Sequence, residues 1–207
     1  MSDEVPPAEA VRLEGLWAGE FGDAYAERNR ILNDQRAVFW ADLLDRYSIQ
    51  SVLEVGCGQG NNLRPISRIL DPRNVWGVDV NDGALSRARS NAPGVNVVAA
   101  SARRLPFRDG FVDLAFTVGV LIHQPDASLP IVISEIVRCS RRYVLWIEYN
   151  SDKTEDVPYH GEPGTLIKRD FGRIYRELFP ELRVLGTGEG TSGDGMEGAT
   201  WQVLERP

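Results

Sequence analysis

Cysteine is scarce. The 207 residues hold two, Cys57 and Cys139, which leaves no disulfide framework and no metal-ligand spacing, so no metal is expected. Long apolar runs are missing too: no stretch reaches the roughly 20 residues needed to cross a bilayer, which argues against a membrane partner. Basic charge is in deficit, with 23 Lys plus Arg against 30 Asp plus Glu and a formal net charge of −7. With a pI near 5.0 the chain opposes non-specific attraction to phosphate backbones, so no nucleic-acid partner is expected. The opening MSDEVPPAEA has no basic region followed by an apolar core. A reduced, cytoplasmic setting and a small-molecule substrate follow as expectations, and composition carries no signal of oligomeric state.

A hydrophobic content of 43% is enough for one well-filled domain. Residues 1–15, acidic and containing Pro6 and Pro7, read as a flexible arm, and 16–207 as a single domain. In FGDAYAERNRILNDQRAVFWADLLDRY, Ile31, Val38, Phe39, Trp40, Leu43 and Leu44 recur at roughly helical spacing, so one or two helices precede the first strand. Strands then alternate with helices: strands 51–55, 75–80, 95–100, 112–118 and 143–149, helices 61–70, 83–91 and 128–139. Such alternation predicts an α/β fold, a doubly wound and mostly parallel sheet. After Asn150 the polar loop SDKTEDVPYHGEPG interrupts the pattern. A helix over 166–179 and two closing strands, LRVLGTG and ATWQVLER, bring the sheet to seven strands.

Glycines 56, 58 and 60 end the first strand, where an open sheet binds its ligand. Gly56, Gly58 and Gly60 permit close backbone approach. Their context is E-x-G-x-G-x-G, with Glu54 on the strand, rather than the G-x-G-x-x-G of a dinucleotide site. A carboxylate there disfavours a pyrophosphate and suits an ammonium. Asp79, 25 positions later at the end of the second strand, can accept both ribose hydroxyls. An ammonium and a ribose together describe S-adenosylmethionine.

The ordered motifs LEVGCGQG, GVDVN, AASARRLPF and FVDLAFTVGVLIHQ resemble the class I S-adenosylmethionine-dependent methyltransferases. More narrowly, WAGEFGDAYAERN, GVLIHQ, EYN and KRDFG resemble the pseudaminic-acid-biosynthesis-associated methylases. The resemblance implies a Rossmann-like methyltransferase fold with an amino-terminal helical lid over 16–48 and an antiparallel strand at the carboxyl end. It implies that Gly56, Gly58, Gly60 and Asn61 line the methionine part of the cofactor, with Glu54 organising the turn. Asp79 would hold the ribose, and Val80 would pack on the adenine beside Ser101 and Ala102. Ser101 departs from the acid usual at that place. Thr117, Val118 and Gly119 would lie along the cofactor. Trp17, Tyr25, Arg28 and Asn29 would form the lid, an aromatic shielding the sulfonium and Arg28 pairing a carboxylate.

For catalysis the sequence offers His123, which titrates near neutrality, and Glu148. With Tyr149 and Asn150, Glu148 leaves the fifth strand where an acceptor amine or polyol would sit. Beside these stand plainer readings: His123 as a packing residue at a helix start, Glu148 as a buried acid paired with Lys168 or Arg169, Cys57 as a small core filler. The leading expectation is methyl transfer to N or O of an amine-, guanidine- or sugar-bearing small molecule. A non-catalytic S-adenosylmethionine-binding regulatory module and a nicotinamide-dependent oxidoreductase are the alternatives.

Overall fold

Ala10, Leu13 and Trp17 recur at i, i+3 and i+7, one face of a helix. In the computed structural model, which describes residues 8–29, 34–162 and 164–207, they lie on α1 (Ala8–Ala18), with Ala10 and Leu13 buried. Only Gly19 separates α1 from α2 (Glu20–Arg28). A β-carbon on Gly22 would stand 1.9 Å from the Trp17 carbonyl oxygen, so the two helices approach as only glycine allows. The arm expected over 1–15 is therefore helical from Ala8 onward; residues 1–7 and Ile31 lie outside the described residues. α3 (Ala37–Arg46) corrects the expected extent of the lid. Its Trp40 packs at 4.7 Å, centroid to centroid, on Phe116 of the central sheet, which places α3 in the layer covering one sheet face.

The sheet is built from β1 (Val52–Val55), β2 (Val75–Asp79), β3 (Asn96–Ala99), β4 (Val112–Val118) and β5 (Ser140–Glu148), all parallel. Helices α4 (Leu63–Ile66), α5 (Asp82–Asn91) and α6 (Leu129–Cys139) connect them. Beyond β5 come β6 (Glu155–Asp156), β7 (Ile167–Lys168), α7 (Phe171–Leu178), β8 (Arg183–Glu189) and β9 (Thr200–Glu205). The strand order is β3-β2-β1-β4-β5-β9-β8, with β9 antiparallel to both neighbours. This is the expected seven-stranded, mostly parallel sheet. All four residues of β1 are buried, because both faces are covered. Leu53, Val55, Ala115, Val144 and Trp146 pack on one side with α6 and α7. Val52, Leu114, Phe116 and Leu145 pack on the other with α3.

Two elements differ from the sequence reading. α4 covers four residues rather than the expected 61–70, since the Ser67 hydroxyl donates to the Arg64 carbonyl at 2.9 Å and the bonding beyond Ile66 turns irregular. α7 starts at Phe171 rather than 166, because Ile167 and Lys168 pair with Asp156 and Glu155. Both cysteines are buried and unpaired, and burial pushes the Cys57 thiol far above its ordinary value, as suits a core filler. Among the described residues no helix is long and apolar enough to cross a membrane, and no group of His, Cys, Asp and Glu is placed to hold a metal.

Candidate active site

Winding reverses between β1 and β4, and the turns leaving these strands meet there. Gly56 has φ +76°, and a β-carbon on it would stand 2.4 Å from a Val120 methyl, so the first turn is pressed against the turn after β4. At the end of β2 the Asp79 carboxylate accepts from the amides of Gly58 at 2.8 Å and Asn81 at 2.9 Å. Burial raises its pKa against the pull of those hydrogen bonds. Asn81 caps α5, its side-chain oxygen accepting from the Ala84 amide at 2.6 Å. Its amide nitrogen donates upward to the Trp17 carbonyl at 3.2 Å and to Asp23 at 3.0 Å.

Between these turns and the α1–α2 pair lies a cavity of about 150 Å³. Gly56, Gly58, Asp79, Val80, Ala102, Val118 and Gly119 form its floor; Trp17 and Tyr25 belong to its roof. Each of these nine was expected from sequence. Other expected residues stand behind the wall. Glu54 is buried, one carboxylate oxygen accepting from Asn62 at 2.6 Å and the other without a partner among the described residues. Asn62 in turn accepts from Arg36 at 2.9 Å, so Glu54 is tied to the start of α4. Desolvation raises its pKa to about 8. Gly60 packs on α5, with Ala88 3.3 Å from where its β-carbon would be. Asn61 and Thr117 do not line the cavity, and Ser101 touches it only through its neighbours. Arg28 is exposed at the end of α2, and Asn29 reaches the turn through its carbonyl, which accepts from Gln59.

Glu148 is corrected most. Instead of facing an acceptor, its carboxylate is fully buried and accepts from the amides of Val120 and Leu121 at 3.1 Å and Ile122 at 3.4 Å. It holds the turn after β4 in place, and its pKa is raised to about 7 by burial. It pairs with neither Lys168 nor Arg169, the latter bonding Asp126 at 2.8 Å. Asn150 accepts from the Phe171 amide at 3.0 Å and fixes the start of α7. Tyr149 is exposed. Neither lines the cavity.

His123 does line it. Its ring lies 4.4 Å from Trp17, and Nδ1 bonds the Thr165 carbonyl, so Nδ1 carries the proton and Nε2 the lone pair. Burial lowers its pKa to about 4. Around it Trp17, Phe21, Tyr25, Tyr159 and His160 form a chain of ring contacts from α1 and α2 to the loop after β5. Sequence reading missed Glu14, Gln59 and Asn81 on the wall. Asn81 had a signal, a capping side chain two residues after Asp79; Glu14 had none within its own segment.

Residues 52–142 match the family model described as a methyltransferase domain. The fold is that of the class I methyltransferases. The magnesium protoporphyrin IX methyltransferase of Synechocystis PCC 6803, solved with bound S-adenosylmethionine, superposes with TM-score 0.71 at 13% identity over all of both chains. The 1,6-didemethyltoxoflavin-N1-methyltransferase of Burkholderia thailandensis, solved with 1,6-didemethyltoxoflavin and S-adenosylhomocysteine, gives 0.73 at 15% identity, over 98% of this chain and 92% of that one. In sequence, phthiotriol/phenolphthiotriol dimycocerosates methyltransferase 1 of Mycobacterium ulcerans is 35% identical over 101 residues, which are 47% of this chain and 36% of that protein. The chain thus spans about a third of the length of that relative. Likeness to the solved structures fixes the methyltransferase fold, and the domain match agrees with S-adenosylmethionine as cofactor.

Proposed function

We propose that the protein transfers the methyl group of S-adenosylmethionine to N or O of a small-molecule acceptor. One observation carries the reading: a single cavity runs from Asp79 and the glycine turn to the Trp17 and His123 rings. The residues fit the cofactor, since Gly56 leaves the turn open to close approach, Asp79 can accept from ribose hydroxyls, and among the described residues no Arg or Lys lines the wall to repel a sulfonium. Bound there, S-adenosylmethionine supplies a methyl carbon on a good leaving group. The chain's own part is alignment and exclusion of water by the α1–α2 roof, worth roughly 7–11 kcal/mol in well-oriented systems.

His123 offers Nε2 as a hydrogen-bond acceptor that orients an acceptor N–H or O–H. With a pKa of about 4 it is a weak base, which suits a neutral amine better than a hydroxyl. Resemblance to the pseudaminic-acid-associated methylases supports an amine- or sugar-bearing acceptor. Incubation with labelled S-adenosylmethionine and panels of amines, guanidines and hydroxy sugars tests the reading. Label transferred to an amine supports it; cofactor binding with no transfer to any acceptor would leave a binding module instead.

A further inference from the structure

At the end of β3 the cavity is walled by small or apolar residues: Val80, Ala100 and Ala102 below, Ala10 and Leu13 above. Such a slot suits a flat base. A base with an exocyclic amino group also needs an acceptor, and the segment Ala100-Ser101-Ala102-Arg103-Arg104 contains no acid. One arrives from α1. Glu14 lines the cavity, and among the described residues Asp79 is the one other carboxylate on the wall. Asp79 sits at the tip of β2 with its oxygens turned to the glycine turn and to Asn81.

The Glu14 carboxylate is held in place. Arg103 donates to Oε1 at 2.9 Å and to Oε2 at 3.3 Å, and the Ser101 hydroxyl donates to Oε2. Ser101 is itself fixed by accepting from the Arg103 amide at 3.2 Å. A carboxylate has about four acceptor positions, so three are taken and one on Oε1 remains.

We infer that Glu14 reads the exocyclic amino group of the cofactor's purine, so that base specificity is carried by the roof helix. Ser101 and Arg103 act as positioning residues that aim the carboxylate. The inference rests on the cofactor reading above. If Glu14 and Arg103 were merely a latch closing α1 onto β3, loss of the pair would weaken all cofactor-shaped ligands equally.

Calorimetry on the full chain with S-adenosylhomocysteine and with S-inosylhomocysteine, which carries a 6-oxo group in place of the amine, separates the two. The wild-type chain should prefer the amino ligand by roughly 10-fold or more, as expected for one hydrogen bond to a charged group. Glu14→Ala should bring the two ligands within about 3-fold of each other, and Ser101→Asp in that background should restore the preference, by the same hydrogen bond. Glu14→Met, which keeps the length and removes both acceptor oxygens, provides the same reading if the alanine variant does not fold. Equal weakening of both ligands in Glu14→Ala or Glu14→Met, with the preference intact, overturns the inference and leaves the cofactor reading standing. Failure of the wild-type chain to bind either ligand overturns both.

Discussion

Floor and roof of the cavity are held by different forces. The floor is the carboxyl edge of a buried parallel sheet, its turns fixed by backbone donors onto Asp79 and Glu148 and by glycines pressed against neighbours. The roof is two short helices joined at Gly19, fastened by a few side-chain links: Asn81 to the Trp17 carbonyl, Arg103 to Glu14, Arg87 to Glu27. Buried hydrogen bonds are costly to leave unmade, whereas partly exposed ion pairs contribute little. Floor substitutions should therefore change stability, and roof substitutions should change ligand affinity.

Glu148→Ala should break the floor most. It orphans three amides, two of them buried and one part-buried, and we expect a loss of about 3–5 kcal/mol of folding stability by denaturant titration. Intact Glu148 and Glu54 also set a pH slope. Their folded pKa values, about 7 and about 8, lie above the ordinary 4.5. Between those values the folded chain holds more protons than the unfolded one. The stability they contribute is thus full below about pH 4.5 and lost as pH rises through 7 and 8. Melts of Glu148→Gln should show a flatter decline over that window; an unchanged slope would count against a protonated Glu148.

Next comes Gly56→Ala, where positive φ and the Val120 methyl combine to a cost of about 2–4 kcal/mol, with loss of stabilisation by S-adenosylhomocysteine. Trp17→Ala should sharpen the contrast from the other side. Removing the ring over His123 should weaken S-adenosylhomocysteine roughly 10-fold while the ligand-free melting point moves less than in either floor variant. Smallest is Arg87→Ala, which breaks the 3.2 Å pair with Glu27 and should cost about 0.5 kcal/mol or less in a chemical melt. A roof variant that destabilises more than Gly56→Ala would abolish the distinction.

The same contrast explains what was legible in the sequence. Floor residues announce themselves because strand, turn and capping side chain lie within a few positions: Gly56 and Gly58 follow β1, and Asp79 ends β2 with Val80 just after it. The alternation of strand and helix gave the parallel sheet, and the family resemblance gave its reversed last strand. The roof is written in pairs far apart in the chain, Glu14 with Ser101 and Arg103, Trp17 with Asn81, and no local pattern joins them. An acidic, proline-containing start also masked the short apolar face of α1. Glu148 misled for a related reason: an acid at a strand end reads alike whether it faces a ligand or ties down the next turn, and only the three amides decide.

Asn81 gives the two halves a shared account. Through one side chain it closes the first turn of α5 beside Asp79 and grips α1 and α2 by the Trp17 carbonyl and Asp23. Linkage then requires reciprocity: whatever factor a closed roof adds to affinity at Asp79, a ligand at Asp79 returns to roof closure. An Asn81→Asp exchange keeps the helix cap, loses the donor and sets a second carboxylate against Asp23, so it should leave the floor formed, push the roof away and remove the cooperativity between them.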